Sequence, residues 1–114
     1  MKIFLIGPMG SGKSKIGRIL SEKLSISLFD IDKEIEKDLN MSITEIFASK
    51  GEIFFRNTET DYLIKTKGLR DCIVSTGGGV IEEIKNLEFL KKEANVVFLN
   101  CSVESQYENT KNSA

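Results

Sequence analysis

The chain contains no histidine. That absence removes imidazole as a general base, excludes a Ser-His-Asp relay and takes away histidine metal ligands, so any proton acceptor in a site must be a carboxylate. Cysteine is scarce: Cys72 and Cys101 are the only two. They show no CxxC spacing and read as reduced, partly buried thiols rather than as a metal site. An excess of one charge is also lacking, with 16 Lys and Arg against 17 Asp and Glu and a formal net charge of −1. No basic stripe of the kind that binds nucleic acid is present. The opening apolar run, Ile3-Phe4-Leu5-Ile6, is too short for a signal peptide or a membrane span. There is no internal repeat, low-complexity tract or linker. A cytoplasmic protein with neither nucleic acid nor membrane as partner is expected. Its 114 residues, 40% hydrophobic and 29% charged, suit one soluble domain with a single core.

Against those absences stands Gly7-Pro8-Met9-Gly10-Ser11-Gly12-Lys13-Ser14, which matches the phosphate-binding pattern G-x-x-x-x-G-K-[ST]. The run before it reads as a buried strand. After it, Ile16, Ile19, Leu20 and Leu24 recur near helical spacing. Strand, glycine loop and helix is the context that the motif needs. Glycines let backbone N–H groups turn towards phosphate oxygens, and the helix start adds unpaired N–H groups and partial positive charge. Gly10, Ser11, Gly12, Lys13, Ser14 and Lys15 are the candidate nucleotide contacts, with ATP as the expected nucleotide. Lys13 would neutralise the outer phosphates and Ser14 would offer its hydroxyl to Mg²⁺. Lys15 stands where many such loops carry a second hydroxyl. Arg18 reads as a helix-face charge.

Further along, Ser27 to Asp32 reads as a strand ending in two carboxylates. Asp30 and Asp32, two apart, would point the same way on an extended strand. One such carboxylate can orient a hydroxyl and accept its proton, and another can sit near the Mg²⁺ water shell. Alone, a solvated strand end or a cap by Asp32 explains them as well. A helix with Ile35 and Leu39 stops near Asn40. Ser42-Ile43-Thr44-Glu45 is a capping box, and Gly51 the matching C-cap. A longer helix is expected from Glu52 to Lys67, with Phe55, Tyr62 and Leu63 on one face and Gly68 as its stop. Asp71 to Ser75 reads as a strand leading into Thr76-Gly77-Gly78-Gly79. Asn86 is placed as the cap of a short helix with Leu87 and Leu90. Asn95 to Asn100 reads as a strand, and Ser102 as the cap of a last helix.

Strands alternating with helices imply a parallel sheet covered on both faces, with ligands beyond the carboxyl ends of the strands. The phosphate loop, the two aspartates and the triple glycine all follow strands, so they are expected on one rim. There, three successive glycines favour close backbone approach to an anion or a hydroxyl. Arg56, beside Phe54 and Phe55, is a candidate grip on a substrate carboxylate. From spacing alone, an exposed helix pair of Arg56 with Glu59 is the plainer reading. Phe47 and Phe55 read first as core.

Together, G-P-M-G-S-G-K-S, F-D-I-D, F-F-R-N-T-E and S-T-G-G-G-V, in that order, make the chain resemble the shikimate kinases over essentially its whole length. The resemblance implies a three-layer α/β/α P-loop kinase fold, with four parallel strands in the order 2-3-1-4. It implies ATP- and Mg²⁺-dependent phosphorylation of the 3-hydroxyl of shikimate in aromatic amino-acid (chorismate) biosynthesis. By that resemblance Lys13 contacts phosphates and is catalytic together with Asp32, which binds the reacting hydroxyl. Ser14 and Asp30 hold the metal, Asp30 through water. Arg56 grips the shikimate carboxylate, and Gly77, Gly78, Gly79, Phe47, Phe55 and Glu59 surround the ring. Family members continue into a lid carrying an arginine, a helix with a second substrate-binding arginine, a fifth strand and a final helix. This sequence ends at Ala114, so a single kinase domain incomplete at its C-terminus is expected. It is expected to be a monomer prone to association and impaired in turnover. A gluconate-type kinase and a nucleotide-binding module without catalysis are the competing readings.

Overall fold

A computed structural model describes residues 1–8, 12–93 and 95–99. In chain order the elements are β1 (Lys2–Ile6), α1 (Lys13–Leu24), β2 (Ser27–Asp30), α2 (Ile31–Leu39), α3 (Ile43–Lys50), α4 (Glu52–Lys65), β3 (Cys72–Ser75), α5 (Ile84–Lys91) and β4 (Val96–Phe98). All four strands are parallel, in the order β2-β3-β1-β4. This is the α/β/α architecture and strand order expected of a P-loop kinase.

Strand alternation builds the layers, because neighbouring side chains on a strand face opposite ways. Phe4 and Ile6 on β1, with Cys72 and Val74 on β3, pack with Ile31, Ile35, Ile46, Phe55, Leu63 and Leu90. These come from the helices after β2 and β3. Leu5 faces α1 instead. There a Cβ at Gly17 would lie 3.0 Å from Leu28 Cδ1 and 3.5 Å from Leu5 Cδ1, so α1 sits hard against the sheet. Both faces of β3 are therefore buried, which is why it reads Cys-Ile-Val-Ser rather than alternating with polar residues. Each fully buried Ile or Leu in this core contributes about 1.5–3 kcal/mol.

Local signals set most boundaries. Ser42 Oγ accepts from Glu45 N at 3.1 Å and Glu45 Oε1 accepts from Ser42 N at 3.3 Å, completing the capping box. Gly51, at φ 90°, separates α3 from α4, and Asn40, at φ 52°, ends α2. Some boundaries differ from expectation. The long helix is α-helical only to Lys65, and a 3₁₀ turn, Thr66–Gly68, completes it. β4 is confined to Val96–Phe98. Asn86 caps nothing, since α5 begins at Ile84 and Asn86 is buried inside it. Cys72 is buried and free. Cys101 and the helix expected from Ser102 lie outside the described residues. Among the described residues no helix is long and apolar enough to cross a membrane.

Candidate active site

The carboxyl ends of β1, β2 and β3 meet on one rim. β1 delivers Gly7, and Gly12 precedes α1 at φ 88°, a left-handed conformation that glycine adopts without Cβ strain. The first turn of α1 has no side-chain cap and no acidic residue, so its N–H groups keep their anion-attracting character. Lys13 is buried, and its Nζ donates to the carbonyls of Gly7 at 2.6 Å and Pro8 at 3.0 Å. The ammonium thus closes the loop on itself. Burial lowers the Lys13 pKa, opposed by the charges of Asp32 and Asp30. Ser14 Oγ donates to Asp30 Oδ2 at 3.4 Å. Lys15 and Arg18 are exposed on α1. Gly10 and Ser11 lie outside the described residues.

The two aspartates are not on one extended strand. β2 stops at Asp30, which becomes the N-cap of α2 by accepting from Lys33 N at 3.2 Å through Oδ1. Asp32 falls in the first turn of α2. The cap therefore belongs to Asp30 and not to Asp32. The winning effect is local, because an N-cap bond satisfies a helix N–H that a longer strand would leave unpaired. The division separates the two carboxylates: Asp30 turns to Ser14, and Asp32 turns towards Gly77.

At Gly77 the backbone comes against two carboxylates. A Cβ there would collide with Glu59 Oε2 and lie 2.7 Å and 2.9 Å from the two Asp32 oxygens. Glu59 is buried on α4, and its Oε1 accepts from Arg56 Nη1 at 2.8 Å. The Arg56–Glu59 pair expected on an exposed helix face is therefore present but set into the protein, with Glu59 only 2% exposed in its side chain. Arg56 Cζ lies 5.9 Å from the Phe47 ring centroid and 5.6 Å from that of Phe55. The two rings pack at 5.0 Å. The two tilted rings are at once core and a platform beneath a guanidinium. A Cβ on Gly79 would collide with the Arg56 guanidinium. Burial would lower the Arg56 pKa, but the Glu59 hydrogen bond and charge, with Glu52 and Glu82, raise it.

Asp32 Oδ1 and Glu59 Oε2 are buried without a partner among the described residues if both groups are charged. A proton on Asp32, donated to Glu59, resolves this. The Asp32 carboxyl is accordingly pushed up to about 8, first by burial, then by the Glu59 hydrogen bond and the charges of Glu59 and Asp30, with Arg56 pulling the other way. The folded chain keeps this proton to about 8, while the unfolded chain releases it near 3.8. The stability contributed by this carboxyl is full at acidic pH and is lost as pH rises through that window. The thermal midpoint of the ligand-free chain should fall between about pH 5 and about pH 8, and Asp32→Asn should flatten the fall. Equal slopes in both proteins would assign the fall to another group.

The structure thus gathers Lys13, Ser14 and Asp30 on the phosphate side, and Asp32, Arg56, Glu59, Phe47, Phe55, Gly77 and Gly79 on the other. Gly78 is half-buried between its neighbours. Sequence reasoning missed the direct pairing of Asp32 with Glu59, which no local spacing announces. Among the described residues no group of three or more His, Cys, Asp or Glu forms a metal cluster. One hydroxyl beside one carboxylate still suits Mg²⁺, which takes few protein ligands and completes its shell with phosphates and water.

A family model described as Shikimate kinase matches residues 9–114. The chain is 40% identical over 109 residues to the shikimate kinase of Persephonella marina, covering 96% of this chain and 66% of that protein. It is 42% identical over 110 residues to that of Sulfurihydrogenibium sp., with coverage of 96% and 66%. Among solved structures, shikimate kinase from Acinetobacter baumannii in complex with shikimate matches at a TM-score of 0.90 and 40% identity, covering 98% of this chain and 63% of that chain. Deoxyadenosine kinase from M. mycoides, with bound dATP, matches at 0.59 and 18% identity, a likeness of fold alone. The chain spans just under two thirds of the length of these first relatives.

Proposed function

The chain belongs to the shikimate kinase family, and from that premise we propose that it takes part in ATP-dependent phosphorylation of the 3-hydroxyl of shikimate in chorismate biosynthesis. The observation that carries this is the pairing of a cationic and an acidic group across the glycine loop. Arg56 lies over Phe47 and Phe55 beside Gly79, and Asp32 lies beside Gly77. On this reading a ring carrying a carboxylate and hydroxyls would set its carboxylate on Arg56 and its reacting hydroxyl on Asp32. A relative of known structure holds shikimate, which supports the same ligand here. The reading treats residues 1–114 as part of one cytoplasmic, monomeric kinase domain.

On this reading the Asp32 carboxylate orients the hydroxyl and takes its proton as the oxygen bonds to the γ-phosphorus and the bond to ADP breaks. The pair with Glu59 must first give up its proton, so turnover should rise with pH. Lys13 leaves its loop carbonyls for phosphate oxygens. Gly12 and the start of α1 present N–H groups to the same phosphates, with Gly10, Ser11 and Lys15 as further contacts. Ser14 and Asp30 would hold Mg²⁺, which neutralises phosphate charge. Glu59 keeps the guanidinium of Arg56 in place, and Gly78 lines the ring. The direct test is ADP release on adding shikimate, with gluconate as control. Release with gluconate and none with shikimate would overturn the substrate.

Arg56→Lys should weaken shikimate binding about tenfold or more and leave ATP binding intact, because lysine keeps the charge but loses the planar fork and its seat on two rings. Calorimetric titration with each ligand separately checks it. Equal loss of both would make Arg56 a structural residue.

A further inference from the structure

Three successive glycines have more backbone freedom than any other tripeptide. Gly77 and Gly79 nevertheless sit at close approach to Asp32, Glu59 and Arg56. Something outside the loop must hold it there. At its entry, Thr76 is buried, and both its backbone N–H, at 3.2 Å, and its Oγ1, at 2.9 Å, donate to the carbonyl of Leu5. Leu5 lies on β1, next to the residue that leads into the phosphate loop. At its exit, Val80 is fully buried, and its N–H donates to Gly77 O at 3.2 Å. The Val80 carbonyl accepts from Asn86 Nδ2 at 2.9 Å, a buried bond, and only weakly from Glu83 N at 3.4 Å.

Asn86 is out of place as a core residue. It is 1% exposed, and its Oδ1 has no partner among the described residues. An unpaired buried amide oxygen costs stability, so an apolar residue of similar size would serve the core better. Only the amide nitrogen can face a carbonyl, which fixes the orientation of the side chain. The one contact that explains an asparagine here is the bond to the loop exit.

We propose that Thr76 and Asn86 are positioning residues that clamp the two ends of the Gly77–Gly79 loop, tying the acceptor side of the site to β1 at one end and to α5 at the other. Neither residue touches the acceptor. They act by holding the glycines at the distance Asp32, Glu59 and Arg56 require. This rests on the acceptor site proposed above.

The test uses Asn86→Leu, Thr76→Val and Thr76→Ser. Amide hydrogen exchange of the ligand-free proteins reads the clamp without reference to any substrate. Asn86→Leu and Thr76→Val should speed exchange of the hydrogen-bonded Val80 amide at the loop exit about tenfold, the scale of one lost buried hydrogen bond, and leave Ile73 and Val74 unchanged. Thr76→Ser, which keeps the hydroxyl, should exchange like the unchanged chain. Asn86→Leu removes the unpaired amide oxygen but leaves the buried Val80 carbonyl with only its weak bond to Glu83, so the two effects oppose and the thermal midpoint should shift little, while shikimate binding weakens about tenfold and ATP affinity moves less than twofold. A loop that exchanges at the same rate in Asn86→Leu and Thr76→Val overturns the clamp, as does faster exchange spread equally through β3. Failure of the unchanged chain to bind shikimate would overturn the acceptor reading instead, with the exchange rates still deciding the clamp.

Discussion

Lys13→Ala should remove most of the thermal stabilisation that ATP confers, with little change to the ligand-free fold. The Lys13 ammonium is the cation that closes the phosphate loop, held by the carbonyls of Gly7 and Pro8. Its removal takes away one preorganised donor to phosphate charge, a loss of about 10²–10³-fold in rate where such donors have been deleted. A ligand present at about 100 times its Kd stabilises by about 2.7 kcal/mol, and that falls to about 0.4 kcal/mol when affinity drops by the same factor. The ligand-free protein loses two hydrogen bonds but also sheds a desolvated charge, so its stability should move by no more than about 1 kcal/mol. Lys13→Met keeps the apolar stem and should behave alike. An unchanged ATP-dependent midpoint in either variant would mean that the loop does not hold phosphate.

The features legible in the sequence were those decided within a few residues. The Ser42–Glu45 box, the Gly51 break and the glycine loop between strand and helix each follow from local hydrogen bonding or backbone freedom. What escaped was decided by tertiary packing. Asp32 is the exception, a local choice that the sequence leaves open, because which of two aspartates caps α2 depends on which one reaches Lys33 N. Asn86 looked like a cap because asparagine caps helices, but it is buried and bonded to Val80. Ile19 and Leu24 keep helical spacing with the core yet stand 44% and 41% exposed, because Gly17 makes the close contact with the sheet. The Arg56–Glu59 spacing was right, and its surroundings were invisible. The same i,i+3 pair is worth a few tenths of a kcal/mol on a solvated helix, whereas with one partner sealed from water, removing the other leaves a buried charge without its partner and costs far more.

That sealed carboxylate makes Gly77→Ala the most damaging small substitution expected in the acceptor half of the site. Gly77 is not among the glycines with positive φ, so alanine meets no backbone strain there, and the whole effect comes from one methyl group. That methyl would overlap Glu59 Oε2 and lie 2.7 Å and 2.9 Å from the Asp32 oxygens. Glu59 is buried and cannot retreat into solvent, and its other oxygen holds Arg56 at 2.8 Å. Displacing it therefore moves both the Asp32 carboxylate proposed to orient the acceptor hydroxyl and the Arg56 guanidinium proposed to receive the acceptor carboxylate. Overpacking of this kind costs about 1–3 kcal/mol of stability. Acceptor affinity should fall about 100-fold, the product of two disturbed charge-assisted contacts, and ATP-dependent stabilisation should persist. Gly79→Ala presses on the guanidinium alone, whose side chain is 25% exposed and can shift outward only by loosening its bond to Glu59. It should cost less stability than Gly77→Ala and weaken only the acceptor. Gly68→Ala, with nothing within 4 Å of its Cβ, is the control and should be neutral or stabilise by about 0.4–1 kcal/mol. Thermal melts with and without each ligand separate the three. Wild-type shikimate affinity in Gly77→Ala would show that Asp32 and Glu59 do not line the acceptor site.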